Sequence, residues 1–114
     1  MTHDRLAAHE VGPVLLAGRV ADAIVSAIRA QNPGARVAYH GSYVRVSVPG
    51  RCDVDRVAIE RLLGEPFRLP GDLERVMPSF RGRLLLSEDL ASWEVGAPPA
   101  PATGGADVTG SAGP

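Results

Sequence analysis

ARVAYHGSYVRVSVPG, Ala35 to Gly50, decides the fold class. Val44, Val46 and Val48 alternate with Tyr43, Arg45 and Ser47, the period-two pattern of a half-buried strand. His40-Gly41-Ser42 supplies a turn before that strand, and Pro49-Gly50 ends it. The stretch therefore predicts a β-hairpin with its valines turned inward. Tyr43, Arg45 and Ser47 then face outward on the same strand.

Upstream, VGPVLLAG (Val11 to Gly18) is a short apolar run bounded by glycine and reads as a buried strand. In the segment that follows, Val20, Ile24, Ala27, Ile28 and Gln31 recur at helical spacing, while Asp22, Ser26 and Arg29 lie off that face. Asn32-Pro33-Gly34 ends the helix, because the residue before proline avoids helical backbone and glycine accepts a left-handed turn. Downstream, Asp53 reads as the N-cap of a second helix, Val54 to Leu63, with Val54, Ala58, Ile59, Leu62 and Leu63 as its inner stripe. Gly64 closes it, and Pro66 forbids continuation. Phe67 and Leu69 form an extended link to a short helix, Leu73 to Met77, which Pro78 stops. Arg83 to Leu86 and Ser92 to Val95 read as the last strands, joined by a turn at Ser87-Glu88-Asp89.

The predicted order is β-α-β-β-α-(α)-β-β, with no glycine-rich βαβ motif. That pattern is α+β: two small antiparallel sheets meeting at a corner filled by two or three helices. The expected domain is residues 11–95. Residues 1–10 read as a flexible N-terminus. Residues 96–114 are nearly all Gly, Pro, Ala, Thr and Ser and read as a disordered tail, since such a composition buries too little apolar surface to offset its ordering entropy.

Basic and acidic residues nearly balance, 12 against 13, and are interspersed. A nucleic-acid footprint would need a clustered basic face, so no nucleic-acid partner is expected. There is no long apolar span and no signal-peptide pattern, so the expectation is a cytoplasmic protein without a membrane partner.

The catalytic inventory is sparse. His3 and His9 lie in the N-terminal segment, and His40 sits in a turn with no second metal ligand at a usable spacing. Cys52 has neither a partner cysteine nor a nearby histidine; Arg51 and the helix start expected after it would lower its pKa somewhat. Ser79 is outside any G-x-S-x-G elbow. Asp53 and Asp55 read as helix-capping carboxylates rather than an acid/base pair. No catalytic, metal or cofactor-binding residue is expected. Function should lie in a surface.

Several short motifs carry a family resemblance. They are Val11-Gly12-Pro13-Val14, Asn32-Pro33-Gly34, Tyr43-Val44-Arg45-Val46 with Pro49-Gly50, Leu63-Gly64-Glu65-Pro66-Phe67, and Ser79-Phe80-Arg81-Gly82. In this order, from Val11 to Trp93, the chain resembles the MmoB/DmpM family: the small coupling (effector, or regulatory) proteins of bacterial multicomponent diiron monooxygenases. The entry stretch looks most like the toluene and alkene monooxygenase members. Pro70-Gly71 and Pro78 around the short helix depart from the family, as does the C-terminal tail.

The resemblance implies a protein that is not itself an enzyme and binds no cofactor. It would dock on a hydroxylase carrying the diiron centre and tune oxygen activation, coupling and substrate hydroxylation or epoxidation. NADH would supply electrons through a reductase with flavin and iron–sulfur centres, or through a ferredoxin. Exposed Tyr and Arg are frequent interface hot spots, which makes Tyr43, Arg45 and Ser47 docking candidates. Ser79, Arg81 and Gly82 form a second candidate group, a bend serving docking with Phe80 anchored in the core, and Arg51 and the short helix are rim candidates. The competing reading is a small α+β ligand-sensing regulatory module.

Overall fold

The computed structural model describes residues 9–96. Of the expected flexible N-terminus (residues 1–10) and disordered tail (residues 96–114), residues 1–8 and 97–114 lie outside the described residues. In chain order the elements are β1 (Glu10–Leu16), α1 (Arg19–Gln31), β2 (Arg36–His40), β3 (Tyr43–Pro49), β4 (Arg51–Asp55), α2 (Arg56–Leu63), α3 (Gly71–Val76), β5 (Ser79–Arg81), β6 (Arg83–Leu86) and β7 (Leu90–Glu94). Sheet one has the order β2-β3-β1-β5 and sheet two the order β4-β7-β6. Every pairing is antiparallel. The fold is thus the α+β arrangement that the hairpin and the helical spacing predict.

One apolar cluster joins the inner faces of both sheets to the helices. Leu15 of β1, Val44 and Val46 of β3, Ile24 and Ile28 of α1, Ile59 of α2, Leu73 of α3 and Trp93 of β7 are all fully or almost fully buried. The valine face of β3 lies inward as expected.

Two direct crossings, each at a glycine, carry the chain from sheet one to sheet two. Gly50 links β3 to β4 with φ 79°. Gly82 links β5 to β6 with φ 99°, and a Cβ there would stand 2.7 Å from both the Glu94 carbonyl oxygen and Val11 Cγ1. A side chain at Gly82 would therefore meet strained backbone and occupied space together.

Several expectations need correction. Asp53 is no N-cap and Val54 no helical residue, because Arg51–Asp55 is strand β4, paired with β7. Cys52 and Val54 alternate inward there, and Asp53 faces out, accepting a 2.6 Å hydrogen bond from Ser92 Oγ. The helix begins at Arg56, after Asp55, whose side chain makes no cap bond and instead accepts from Gln31 Nε2 at 2.7 Å. Leu62 falls outside the inner stripe, 54% exposed, because the later helix start leaves Ile59 and Leu63 on the packed side.

Gln31 likewise leaves the apolar face of α1 and pairs with β4. Finally, Ser79-Phe80-Arg81 is a short strand, β5, laid against β1. At the sheet edge Phe80 has cover on one side only, so it is 41% exposed and does not anchor the core.

Candidate functional site

Residues directly opposite in an antiparallel ladder share a face, so the registers map the outer surface of sheet one. Arg45 of β3 sits opposite Ala38 of β2 and Val14 of β1, and Val14 sits opposite Ser79 of β5. These four side chains form one row across the whole sheet. A neighbouring row runs from His40 through Tyr43 to Leu16. On the other flank lie Arg36 opposite Ser47, and Arg81 opposite Gly12. Most of these residues are exposed: Arg36, Ala38, His40, Tyr43, Arg45, Leu16, Ser79 and Arg81 all reach solvent, while Val14 and Ser47 are half-buried.

The structure thus brings the two expected docking groups together. Tyr43, Arg45 and Ser47 lie on β3, Ser79 and Arg81 on β5, and β1 runs between them. Arg45 and Ser79 are two strand spacings apart, about 10 Å. Gly82 ends this face at the crossing into sheet two. A cleft of about 340 Å³, lined by Val14, His40, Tyr43, Arg45, Pro78 and Ser79, opens on it. Arg45 also lines a second hollow of about 310 Å³ with Arg36, Ala38 and Ser47.

Arg51 lies apart from these candidates, on the outer face of sheet two. Its guanidinium donates to Glu94 Oε2 at 2.8 Å and Asp53 Oδ1 at 2.9 Å, and lies 3.4 Å from Ser92 Oγ. The short helix α3 presents Glu74 and Arg75 to solvent and buries Leu73.

Val14, Leu16, Arg36 and His40 belong to the face but were absent from the sequence-based candidates. Val14-Leu15-Leu16 is an unbroken apolar run, so alternation could not tell its outward residues from its inward one. The register against β3 does so, placing Leu15 opposite buried Val44 and Leu16 opposite exposed Tyr43.

Cys52 is fully buried, and burial first, then the negative charge of Asp53, pushes its thiol up to about 12. The expected lowering by Arg51 fails, because that cation faces outward into its carboxylate partners. Such a thiol is no nucleophile at neutral pH. Among the described residues no group of three or more His, Cys, Asp or Glu side chains converges as a metal site would require. Among them, too, no helix is long and apolar enough to cross a membrane.

Asp89 and Glu60 both grip Arg56, whose guanidinium donates to Asp89 Oδ1 at 2.9 Å and lies 2.9 Å from Glu60 Oε1. Glu60 Oε2 accepts from the Phe67 backbone N–H at 2.9 Å. That bond chiefly, with Arg56 adding to it, holds the Glu60 carboxyl below its ordinary range. This cluster fixes the α2–α3 connection and lies outside the sheet-one face.

The family model described as "MmoB/DmpM family" matches residues 9–94. The effector subunit of an alkene monooxygenase system from Xanthobacter autotrophicus is 39% identical over 94 residues, spanning 81% of this chain and 92% of that protein. Among solved structures, a chain of a phenol hydroxylase–regulatory protein complex superposes with a TM-score of 0.68 at 17% identity, covering 76% of this chain and 98% of that one. The regulatory protein B of soluble methane monooxygenase gives a TM-score of 0.61 at 21% identity, covering 77% of this chain and 66% of that one. At those identities the two structures speak for the fold alone. The family match over residues 9–94 and the alkene monooxygenase relative together establish that this chain belongs to the MmoB/DmpM family.

Proposed function

We propose that this chain is the effector, or coupling, component of a multicomponent monooxygenase. It binds the diiron hydroxylase and tunes oxygen activation and substrate hydroxylation or epoxidation without doing chemistry of its own. The metal, the flavin and the iron–sulfur centres belong to the hydroxylase and the electron-transfer proteins, and on this reading the system is cytoplasmic. The observation that carries this reading is the similarity to an alkene monooxygenase effector subunit over 81% of this chain and 92% of that protein.

The docking surface on this reading is the outer face of sheet one. It is broad and, among the described residues, no helix covers it. It combines exposed Tyr43 and Leu16 with Arg45 and Arg81, the mixture of aromatic, aliphatic and arginine side chains common at interface hot spots. Docking alters the hydroxylase only if one of its conformations binds this face more tightly than another. A difference of about 1–3 kcal/mol shifts such an equilibrium roughly 5–150-fold.

A ligand-sensing module would need a polar-lined pocket between sheets and helices. That space is filled by Leu15, Ile24, Ile28, Val46, Ile59 and Trp93. The test is reconstitution: NADH-driven substrate oxidation by hydroxylase and reductase, titrated with this protein. A saturable rise in product, or a saturable change in regioselectivity or coupling, is expected. Unchanged turnover, selectivity and coupling across the titration would sink the reading.

A further inference from the structure

Resting on that reading, we propose that the cleft between β3 and β5 is a socket for one carboxylate side chain, Asp or Glu, on the hydroxylase, with Arg45 as its clamp. The argument starts from charge. Arg19, Arg36, Arg51, Arg56 and Arg83 each have a carboxylate partner within the chain. Among the described residues Arg45 has none. Its neighbours across the ladder are Ala38 and Val14, which offer it no charge. The acid nearest in the sheet, Glu10 on β1, is held by Arg36. Among the described residues the outer face of sheet one thus carries Arg36, Arg45 and Arg81 against Glu10, a surplus of two positive charges.

The cleft supplies the rest of the site. Its volume of about 340 Å³ leaves room for an entering side chain. Val14 and Pro78 give it apolar lining that limits competition from water. Tyr43 and Ser79 bring hydroxyl donors, and His40 a ring nitrogen, to the same opening. A guanidinium matches a carboxylate with two parallel N–H···O bonds, a geometry that lysine cannot copy. An acidic side chain entering here gives Arg45, a strand-borne arginine beside a cleft, the acid that it lacks among the described residues.

The test measures binding of the full-length chain to the purified hydroxylase by titration calorimetry, and turnover in parallel. Arg45→Glu should raise Kd at least tenfold. Arg45→Lys should fall between Arg45→Glu and wild type. Arg29→Glu, the same charge reversal at an exposed site on α1, should stay within twofold of wild type. Saturating Arg45→Glu should restore wild-type turnover, and replacing one hydroxylase surface acid by arginine should recover its affinity. Equal losses for Arg29→Glu and Arg45→Glu would reveal diffuse attraction and overturn the socket. So would a wild-type Kd for Arg45→Glu. Wild-type protein that neither binds nor stimulates the hydroxylase would overturn the effector reading itself, a result separable from the other two.

Discussion

Asn32 pairs through its side-chain amide with both backbone groups of Asp53. Its Nδ2 donates to the Asp53 carbonyl at 2.7 Å, and its Oδ1 accepts from the Asp53 N–H at 3.0 Å. The same Nδ2 donates to the carbonyl of Ile28 at 2.8 Å, inside the last turn of α1. One buried carboxamide thus ends the helix and holds the free edge of sheet two. Asn32→Ala removes all three bonds and leaves the Asp53 groups short of partners. We expect a loss of about 1–3 kcal/mol in urea unfolding, with the slope unchanged. Gln31→Ala, whose amide makes the parallel but exposed pair with Asp55, should cost less.

This relationship also explains what the sequence hides. The β3 hairpin and α1 were legible because their apolar residues repeat at clean periods of two and about 3.6. Arg51 to Asp55 was not, because Cys52 and Val54 fit a strand while Val54 and Ala58 equally fit a helix. The choice falls to partners distant in the chain: β7 on one side and the Asn32 clamp on the other. β5 is three residues long, too short for any period, and only its register with β1 reveals it. The outward residues of β3 were legible for the same reason as its inward ones, whereas Val14 and Leu16 needed a neighbour to give them a side.

Gly82→Ala should destabilise the domain by about 1–3 kcal/mol from backbone strain alone. The clash with Val11 and the Glu94 carbonyl adds to this. Gly50→Ala, at φ 79° with open space around it, should lose only the strain contribution. Thermal melts of the two variants separate these contributions. Equal shifts would show that the crossing at Gly82 relaxes more readily than its packing suggests.

Cys52 and Trp93 sit opposite each other on β4 and β7, both fully buried. The thiol, pushed up to about 12, should ignore a thiol reagent at neutral pH in the native protein. The tryptophan should emit at short wavelength and red-shift on denaturation. Along a urea titration, reagent uptake and the red shift should share one midpoint. Rapid labelling in the absence of urea would contradict the burial.

The Glu60 carboxyl is held below its ordinary range, first by the Phe67 N–H and then by Arg56. In the unfolded chain it returns to the ordinary glutamate range. A depressed folded value means that the unfolded chain binds more protons in acid. The stabilisation is therefore fully present above the unfolded value and disappears as pH falls through the lower, folded one. Glu60→Gln should lower stability near neutrality and flatten its decline in that acid window. Denaturant midpoints measured across that range check this, and parallel curves for variant and wild type would refute it.

The two sheets make opposite predictions for docking. On sheet one, Tyr43 is exposed and Arg45 has no acid of its own among the described residues, so neither supports the fold strongly. Tyr43→Ala and Arg45→Ala should each raise the effector concentration needed for half-maximal hydroxylase stimulation several-fold, with melting temperature nearly unchanged. On sheet two, Arg51 ties β4 to β7 through Glu94, with Asp53 beside it on its own strand. Arg51→Ala should leave half-maximal stimulation within about twofold and cost at most about 1 kcal/mol, because the pairs are partly exposed. A stronger effect on stimulation from Arg51→Ala than from Arg45→Ala would move the docking surface to sheet two, since the two arginines stand on different sheets and no single flat contact favours both equally.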